Sequence, residues 1–194
     1  MPFHLLKPAL TGQLAVSTFL TGDECRGIIQ SGERGLVLAP GMTEDERTSL
    51  RKSDIAWLGP EGEHRWLFDR IKDCLNEINR NWFGYNLLGF EGIQFTKYSH
   101  DKRQAGDFYS AHRDTKLLPG GTIRKLSFTI QLCDPDTYEG GDVVLYESFV
   151  DSAPLSRALG SISFFPSYTI HEVTPVTSGL RYSLVGWACG PSFV

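Results

Sequence analysis

The sequence predicts a mainly β fold braced by helices near its N-terminal end, and three observations carry that expectation. From Leu88 onward, short stretches alternate apolar and polar residues: "GFEGIQFTKYS", "KLSFTIQLC", "DVVLY", "GSISFFP" and "RYSLVGWA". Gly-Gly, Pro-Gly, Asp-Pro and Ser-Gly pairs punctuate this region, as turns between strands do. Before Leu88, two segments instead read as helices, one from its capping signals and one from apolar residues three and four apart, the period of a helix. No Pro- or Ser-rich linker divides the two parts, and 194 residues suit one domain. Residues 1–87 are therefore expected to form a helical support region and 88–190 the β core of a single domain. Short strands at this spacing, with no helix between them, imply a β-sandwich, jelly roll or barrel.

The elements follow in order. "TGDECRGIIQSGERG" opens with a capping box, Thr21 with Glu24 three residues on, and ends at Gly35. "VLAPGMTEDERTSL" reads as a long loop, followed by a short strand from Ser53 to Leu58. From about Glu61 to Trp82, the residues Trp66, Leu67, Ile71, Leu75, Ile78 and Trp82 recur at helical intervals and predict one broad apolar face. In "KLSFTIQLC", Leu126, Phe128, Ile130 and Leu132 share one face, and Ser127, Thr129 and Gln131 the other. A polar face on a strand in mid-core points either to solvent or into a polar cavity.

Composition narrows the function. The net charge of −4, with no basic stripe, argues against a nucleic-acid partner. The opening "MPFHLLKPALTGQLAVSTFL" has neither a basic leader nor a continuous apolar run, so no signal peptide and no membrane span are expected. Four scattered cysteines without a CxxC pair read as reduced thiols, and the expected compartment is the cytoplasm.

The chemistry-bearing residues begin at "DFYSAHRDT", where His112 and Asp114 stand two apart and so point to one face of a strand. His171, in "SYTIHEVTPVTSG", is a candidate third ligand. Two histidines and one carboxylate form a facial triad that leaves three positions open on an octahedral metal, the set used by non-haem Fe(II) oxygenases. A structural zinc site more often brings thiolates, and no cysteine lies near either histidine in sequence. Arg181 opens the strand "RYSLVGWA" with Ser183 facing the same way, a pair suited to gripping a carboxylate. The alternatives are a histidine hydrogen-bonded within the core and an exposed Arg181 paired with a surface acid.

With "FYSAHRD", "RKLSFTIQLCDPDTYEGGDVVLY" and "GSISFFPSYTIHEVTPVTSGLRYSLVGW" taken together, residues 88–190 resemble the Fe(II)/2-oxoglutarate-dependent dioxygenases. Within them the chain is similar to the prolyl 4-hydroxylase-like branch, especially the bacterial PKHD-type hydroxylases. The resemblance implies a double-stranded β-helix, a distorted jelly roll, with N-terminal α-helices beside it. It implies that His112, Asp114 and His171 bind Fe(II) and that Arg181, assisted by Ser183, holds the distal carboxylate of 2-oxoglutarate. O2 is the second co-substrate, and ascorbate has a supporting role. Tyr98 matches a tyrosine that contacts the co-substrate. Gln131 replaces a co-substrate-binding tyrosine with a shorter hydrogen-bonding tip. Tyr109 and Trp187 match positions that line the substrate pocket in relatives, or else are ordinary barrel core. The implied reaction is hydroxylation of an unactivated C–H bond, first of all on a prolyl residue in a protein or peptide, with release of succinate and CO2. A free amino acid or other small molecule is the alternative substrate. A non-catalytic jelly-roll binding module, or a cupin-type metalloenzyme without the keto acid, is the alternative class. "TKLLPGGTIR" and "VLAPGMTEDERTSL" are expected to be mobile loops over the mouth of the barrel.

Overall fold

The computed structural model describes residues 12–38, 50–100, 106–146 and 152–192. In chain order its main elements are β1 (Leu14–Val16), α1 (Gly22–Glu33), β2 (Val37–Leu38), β3 (Arg51–Lys52), β4 (Asp54–Leu58), α2 (Arg65–Ile78), β5 (Gly89–Phe90), β6 (Ile93–Ser99), β7 (Phe108–His112), β8 (Thr122–Gln131), β9 (Tyr138–Gly140), β10 (Val143–Tyr146), β11 (Ser152–Pro154), β12 (Ile162–Pro166), β13 (Ile170–Val173) and β14 (Val176–Pro191). Two antiparallel sheets result. The larger runs β1-β12-β8-β14-β6-β4-β2, with β5 and β9 also paired to β14, and the smaller runs β11-β10-β13-β7-β3. Two sheets joined by repeated crossings give the jelly-roll core that the sequence led us to expect.

The alternation in the sequence becomes two opposed faces of the large sheet. Across β4, β6, β14, β8 and β12 the register aligns Ala56, Phe95, Leu184, Ile130 and Ile162, none more than 4% exposed. The adjacent row, offset by one residue, aligns Trp57, Gln94, Val185, Thr129 and Ser163. The apolar face packs against the helices in one cluster with Ile28 of α1 and Leu67, Phe68, Ile71, Leu75 and Ile78 of α2. Each such side chain contributes about 1.5–3 kcal/mol on full burial. The polar face looks into the space between the sheets.

The capping box on α1 is present as read: Thr21 N–H donates to Glu24 Oε2 at 2.8 Å, and Glu24 N–H to Thr21 Oγ1 at 3.3 Å. The second helix departs from expectation at its ends. Trp66 and Trp82, both read as part of the apolar face, are 37% and 50% exposed. Trp66 sits at the edge of that face, with the Arg70 guanidinium over its ring. Beyond Ile78 the chain widens into a π-helical turn, Asn79–Phe83, which closes at left-handed Gly84 (φ +67°). The wider turn rotates Trp82 outward and brings Phe83 inside at 2% exposure.

The N-terminal region also carries more than helices. Its strands β1, β2 and β4 extend the large sheet, while β3 pairs with β7 in the small one. The strand expected from Ser53 to Leu58 is present as β4, and the chain crosses between sheets just before it, with Arg51–Lys52 in the smaller sheet and Asp54–Leu58 in the larger. "TKLLPGGTIR" is a hairpin rather than a long loop, because Leu117 bridges Ile123, Leu118 N–H donates to Thr122 O, and Thr122–Arg124 already belong to β8. Of the other expected loop, residues 39–49 lie outside the described residues, as do residues 101–105 between Tyr98 and His112.

Candidate metal centre and active-site cavity

The register of the small sheet places the two histidines directly opposite each other, His171 on β13 against His112 on β7. Asp114 follows β7 by two residues, and its backbone N–H and that of Thr115 both donate to Ser167 O at 3.0 Å. This anchor turns the carboxylate inward. Asp114 Oδ1 is 3.6 Å from His112 Nε2, and Oδ2 is 3.4 Å from His171 Nε2. All three ligand atoms lie within 4.8 Å of one another, the single such cluster among the described residues. Cis ligands on a metal with bonds of about 2.1 Å are about 3 Å apart, so a small inward shift closes this set around one ion.

The residues behind the ligands fix their orientation. His112 Nδ1 is 2.8 Å from Ser110 O, and His171 Nδ1 is 3.0 Å from Thr169 O. A carbonyl only accepts, so each Nδ1 carries the proton and each Nε2 keeps a lone pair facing its partners. Burial holds His171 below its ordinary pKa, with neighbouring His112 adding to the effect and Asp114 opposing it. The neutral, ligating form is favoured at neutral pH. For Asp114, burial pushes the pKa up, but the facing imidazoles of His112 and His171, to the extent that they carry a second proton, and the Ser127 hydroxyl outweigh it and hold the carboxyl below its ordinary range. Ser127 Oγ donates to Asp114 Oδ2 at 2.7 Å and lies 2.9 Å from Ser167 Oγ.

The cluster opens into a cavity of about 370 Å³ between the sheets. Arg181 lines the same cavity and is 1% exposed, the largest of the fully buried side chains. One of its amines, Nη1, donates to Ser183 Oγ at 3.2 Å, and its guanidinium lies over the Tyr98 ring at 5.4 Å. Its Nε and Nη2 have no hydrogen-bond partner among the described residues. A buried, half-satisfied guanidinium is costly without an anion, and the surface-acid alternative for Arg181 falls with its burial. The cradle is close-fitting, since a Cβ on Gly141 (φ +65°) would stand 2.8 Å from Arg181 Cδ. These residues fit a divalent first-row transition metal bound by two nitrogens and one oxygen, and a carboxylate-bearing molecule beside it.

Of the other residues singled out by sequence, Tyr98, Tyr109, Ser183 and Trp187 line the cavity. Tyr109 stacks on the His112 imidazole, with ring centroids 3.6 Å apart. Trp187 lies 6.2 Å from Trp57 and leaves its Nε1 unpartnered. Gln131 is buried opposite Ser183, with Oε1 unpartnered, but is not part of the cavity wall. The sequence reading missed Ser127, Ser167 and Thr129. The polar face of "KLSFTIQLC" held the signal for two of them, since Ser127 orients the metal carboxylate and Thr129 lines the cavity. Phe165, packed edge-on against His171 at 4.8 Å, has no comparable signal in an apolar run.

Comparison with known proteins agrees with this geometry. Residues 93–189, half of the chain, match the profile of the 2OG-Fe(II) oxygenase superfamily. A PKHD-type hydroxylase of Synechococcus elongatus is 36% identical over 124 residues, which cover 60% of this chain and 55% of that protein. One from Hyphomonas neptunium is 39% identical over 85 residues, covering 42% and 38%. The chain thus spans about half the length, or less, of the curated relatives it matches. Among solved structures, a prolyl-4-hydroxylase of Pseudomonas putida superposes with a TM-score of 0.69 at 22% identity, covering 94% of each chain. A Trichoplax adhaerens prolyl hydroxylase, in complex with a hypoxia inducible factor peptide fragment, gives 0.68 at 20% identity, covering 92% of this chain and 83% of that one. These two likenesses establish the fold. The chain belongs to the 2OG-Fe(II) oxygenase superfamily, and Fe(II) and 2-oxoglutarate are its metal and co-substrate.

Proposed function

We propose that this chain is a hydroxylase that oxidises an unactivated C–H bond of a prolyl residue in a protein or peptide. One observation carries the reading: a His–Asp–His cluster, buried at Asp114 and His171 and half-buried at His112, and a buried Arg181 with two unpaired donors face one cavity. In this reading His112, Asp114 and His171 hold Fe(II), which when bound couples the oxidation of 2-oxoglutarate by O2 to hydroxylation. The protein's own part is positioning. The Ser110 and Thr169 carbonyls keep both imidazoles in the ligating tautomer, and Ser127 holds the Asp114 carboxylate. Arg181 and Ser183 grip the distal carboxylate of the keto acid over Tyr98, and Tyr109 and Trp187 wall the substrate side. Gln131 stands opposite Ser183 on the adjacent strand, its Oε1 unpaired. Ascorbate assists by keeping the iron reduced. The names of the PKHD-type relatives and the peptide-bound Trichoplax structure support a hydroxylase acting on a peptide. The free thiols of Cys25, Cys74, Cys133 and Cys189 suit a reducing cytoplasm, where we expect the protein to act.

The test has two readouts. Anaerobic addition of Fe(II) and 2-oxoglutarate should produce the visible absorbance of the iron–keto acid chelate, and His112→Ala should lose it. Mass spectrometry of candidate proteins incubated with the enzyme and O2 should find one added oxygen on proline. No absorbance with the native chain would refute the oxygenase reading. Oxygen appearing only on free amino acids would move the substrate to small molecules.

A further inference from the structure

We propose that the mouth of this cavity selects a substrate bearing a carboxylate or similar anionic group near the reacting carbon, with Arg113 and Lys116 as the selecting residues. The inference rests on the hydroxylase reading above and names the substrate class for the same site. Among the described residues, five cationic side chains line the cavity, namely Arg51, Arg113, Lys116, Arg124 and Arg181, against one carboxylate, the metal-facing Asp114. This excess runs against the composition, because the chain as a whole carries −4.

The five cations are not equivalent. Arg181 sits buried at the base, where it answers one carboxylate of 2-oxoglutarate, and the metal answers the other. Both charges of the co-substrate are thereby matched without the remaining cations. Arg124 is already neutralised, through Nε to Glu91 Oε1 at 2.6 Å and Nη2 to Glu91 Oε2 at 3.0 Å, and its guanidinium lies 3.9 Å from the Trp187 ring. It acts as part of an aromatic shelf. Arg51 is held by neutral groups, with Nε donating to Ser53 Oγ at 2.7 Å and the guanidinium over the Tyr109 ring at 4.7 Å. Arg113 and Lys116 are exposed, and their side chains make no hydrogen bond or ion pair with any described residue, Lys116 only accepting the Arg124 N–H at its backbone carbonyl. Like charges gathered at a low-dielectric cleft repel one another, and they focus the field on whatever enters. Since metal and co-substrate are balanced elsewhere, the component left to face Arg113 and Lys116 is the substrate.

An acidic peptide and a free acidic small molecule present the same chemistry, and the experiment separates them. The protein is loaded with Fe(II) and 2-oxoglutarate under argon. Fluorescent peptides with a central proline flanked by Glu, Ala or Lys are then titrated by anisotropy. The Glu peptide should bind about tenfold more tightly than the Ala peptide, with an advantage that shrinks as salt rises. An Arg113→Glu, Lys116→Glu double variant should invert the ranking in favour of the Lys peptide, a reversal that no folding defect produces. If N-acetylglutamate displaces the Glu peptide at matching concentration, the natural source is a small acid, and if it does not, a polypeptide. Equal affinity for all three peptides, or a ranking unchanged in the double variant, overturns the proposal. The iron–keto acid absorbance is recorded on the same samples. Its presence without charge selection sinks the anionic mouth alone, and its absence sinks the oxygenase reading.

Discussion

The two faces of β8 are built from alternate residues of one strand, yet they do different work. Leu126, Phe128 and Ile130 are fully buried beneath the helices in a continuous apolar cluster. Ser127, Thr129 and Gln131, offset by one position, are buried too, and Ser127 reaches a metal-site carboxylate. Burial on the first face stabilises the fold through apolar area and packing. Burial on the second costs stability, because it leaves Thr129 Oγ1, Gln131 Oε1 and two donors of Arg181 unpaired. The fold carries that cost in exchange for a cavity whose polar groups await a ligand, and substitutions on the two faces should therefore differ in kind.

The largest effects separate the faces most cleanly. Asp114→Ala removes the oxygen ligand and should abolish metal binding, read by equilibrium dialysis with Fe(II) under argon. Retained binding would dismiss the cluster as the metal site. Phe128→Ala on the apolar face should lower unfolding free energy by about 3–5 kcal/mol in urea titrations. That is a large share of the 5–15 kcal/mol typical of a domain. Its metal affinity should stay near native in whatever fraction remains folded.

Arg181→Met reverses the sign. Replacing a buried, half-paired charge by an apolar chain of similar length should leave the ligand-free protein as stable as before or more so. The same change should weaken 2-oxoglutarate by about 2–4 kcal/mol, roughly 30- to 1,000-fold, in titrations of the chelate absorbance. A destabilised variant with native keto acid affinity would place Arg181 with the structural face.

Ser127→Ala tests the same face more gently. The hydroxyl touches no metal but aims Asp114 Oδ2 and meets Ser167. Loss of such a supporting hydrogen bond should weaken metal binding about 10- to 100-fold, with little change in melting temperature.

The same division explains what the sequence made legible. Strand alternation and helical periodicity encode burial, so the β core, the capping box and most of the apolar face of α2 could be read directly. His112 and Asp114 stood together, and His171 and Arg181 became interpretable through their order along the chain. The errors arise where a local pattern is overruled by a neighbour. The π-turn exchanged Trp82 for Phe83, and Arg51–Lys52, just before the expected strand, pair as β3 in the smaller sheet. Ser127 was visible as polar but not as an aspartate's partner, because that contact depends on Ser167 anchoring the Asp114 backbone from 53 positions later in the chain. The charged mouth was illegible for the same reason, since its cations come from β3, β8 and the segment after β7.

The smallest expected effect concerns the helices that cover the apolar face. Glu24 of α1 takes both Nη atoms of Arg70 of α2, at 2.9 and 2.7 Å. The hydrogen bond with Arg70, then that with the Thr21 backbone, lowers its pKa from 4.5 to about 2. A carboxylate lowered in the folded state binds fewer protons there than in the unfolded chain. Its contribution is therefore complete above pH 4.5 and is lost as the pH falls from 4.5 towards 2. Arg70 is 41% exposed and Glu24 26%, so solvent screening holds the effect to about 0.5 kcal/mol. Glu24→Gln should accordingly flatten this part of the acid-unfolding curve while leaving metal affinity at neutral pH unchanged. If the variant instead weakened the metal, the helical layer and the cavity would be coupled through the sheet, and the independence of its two faces would fail.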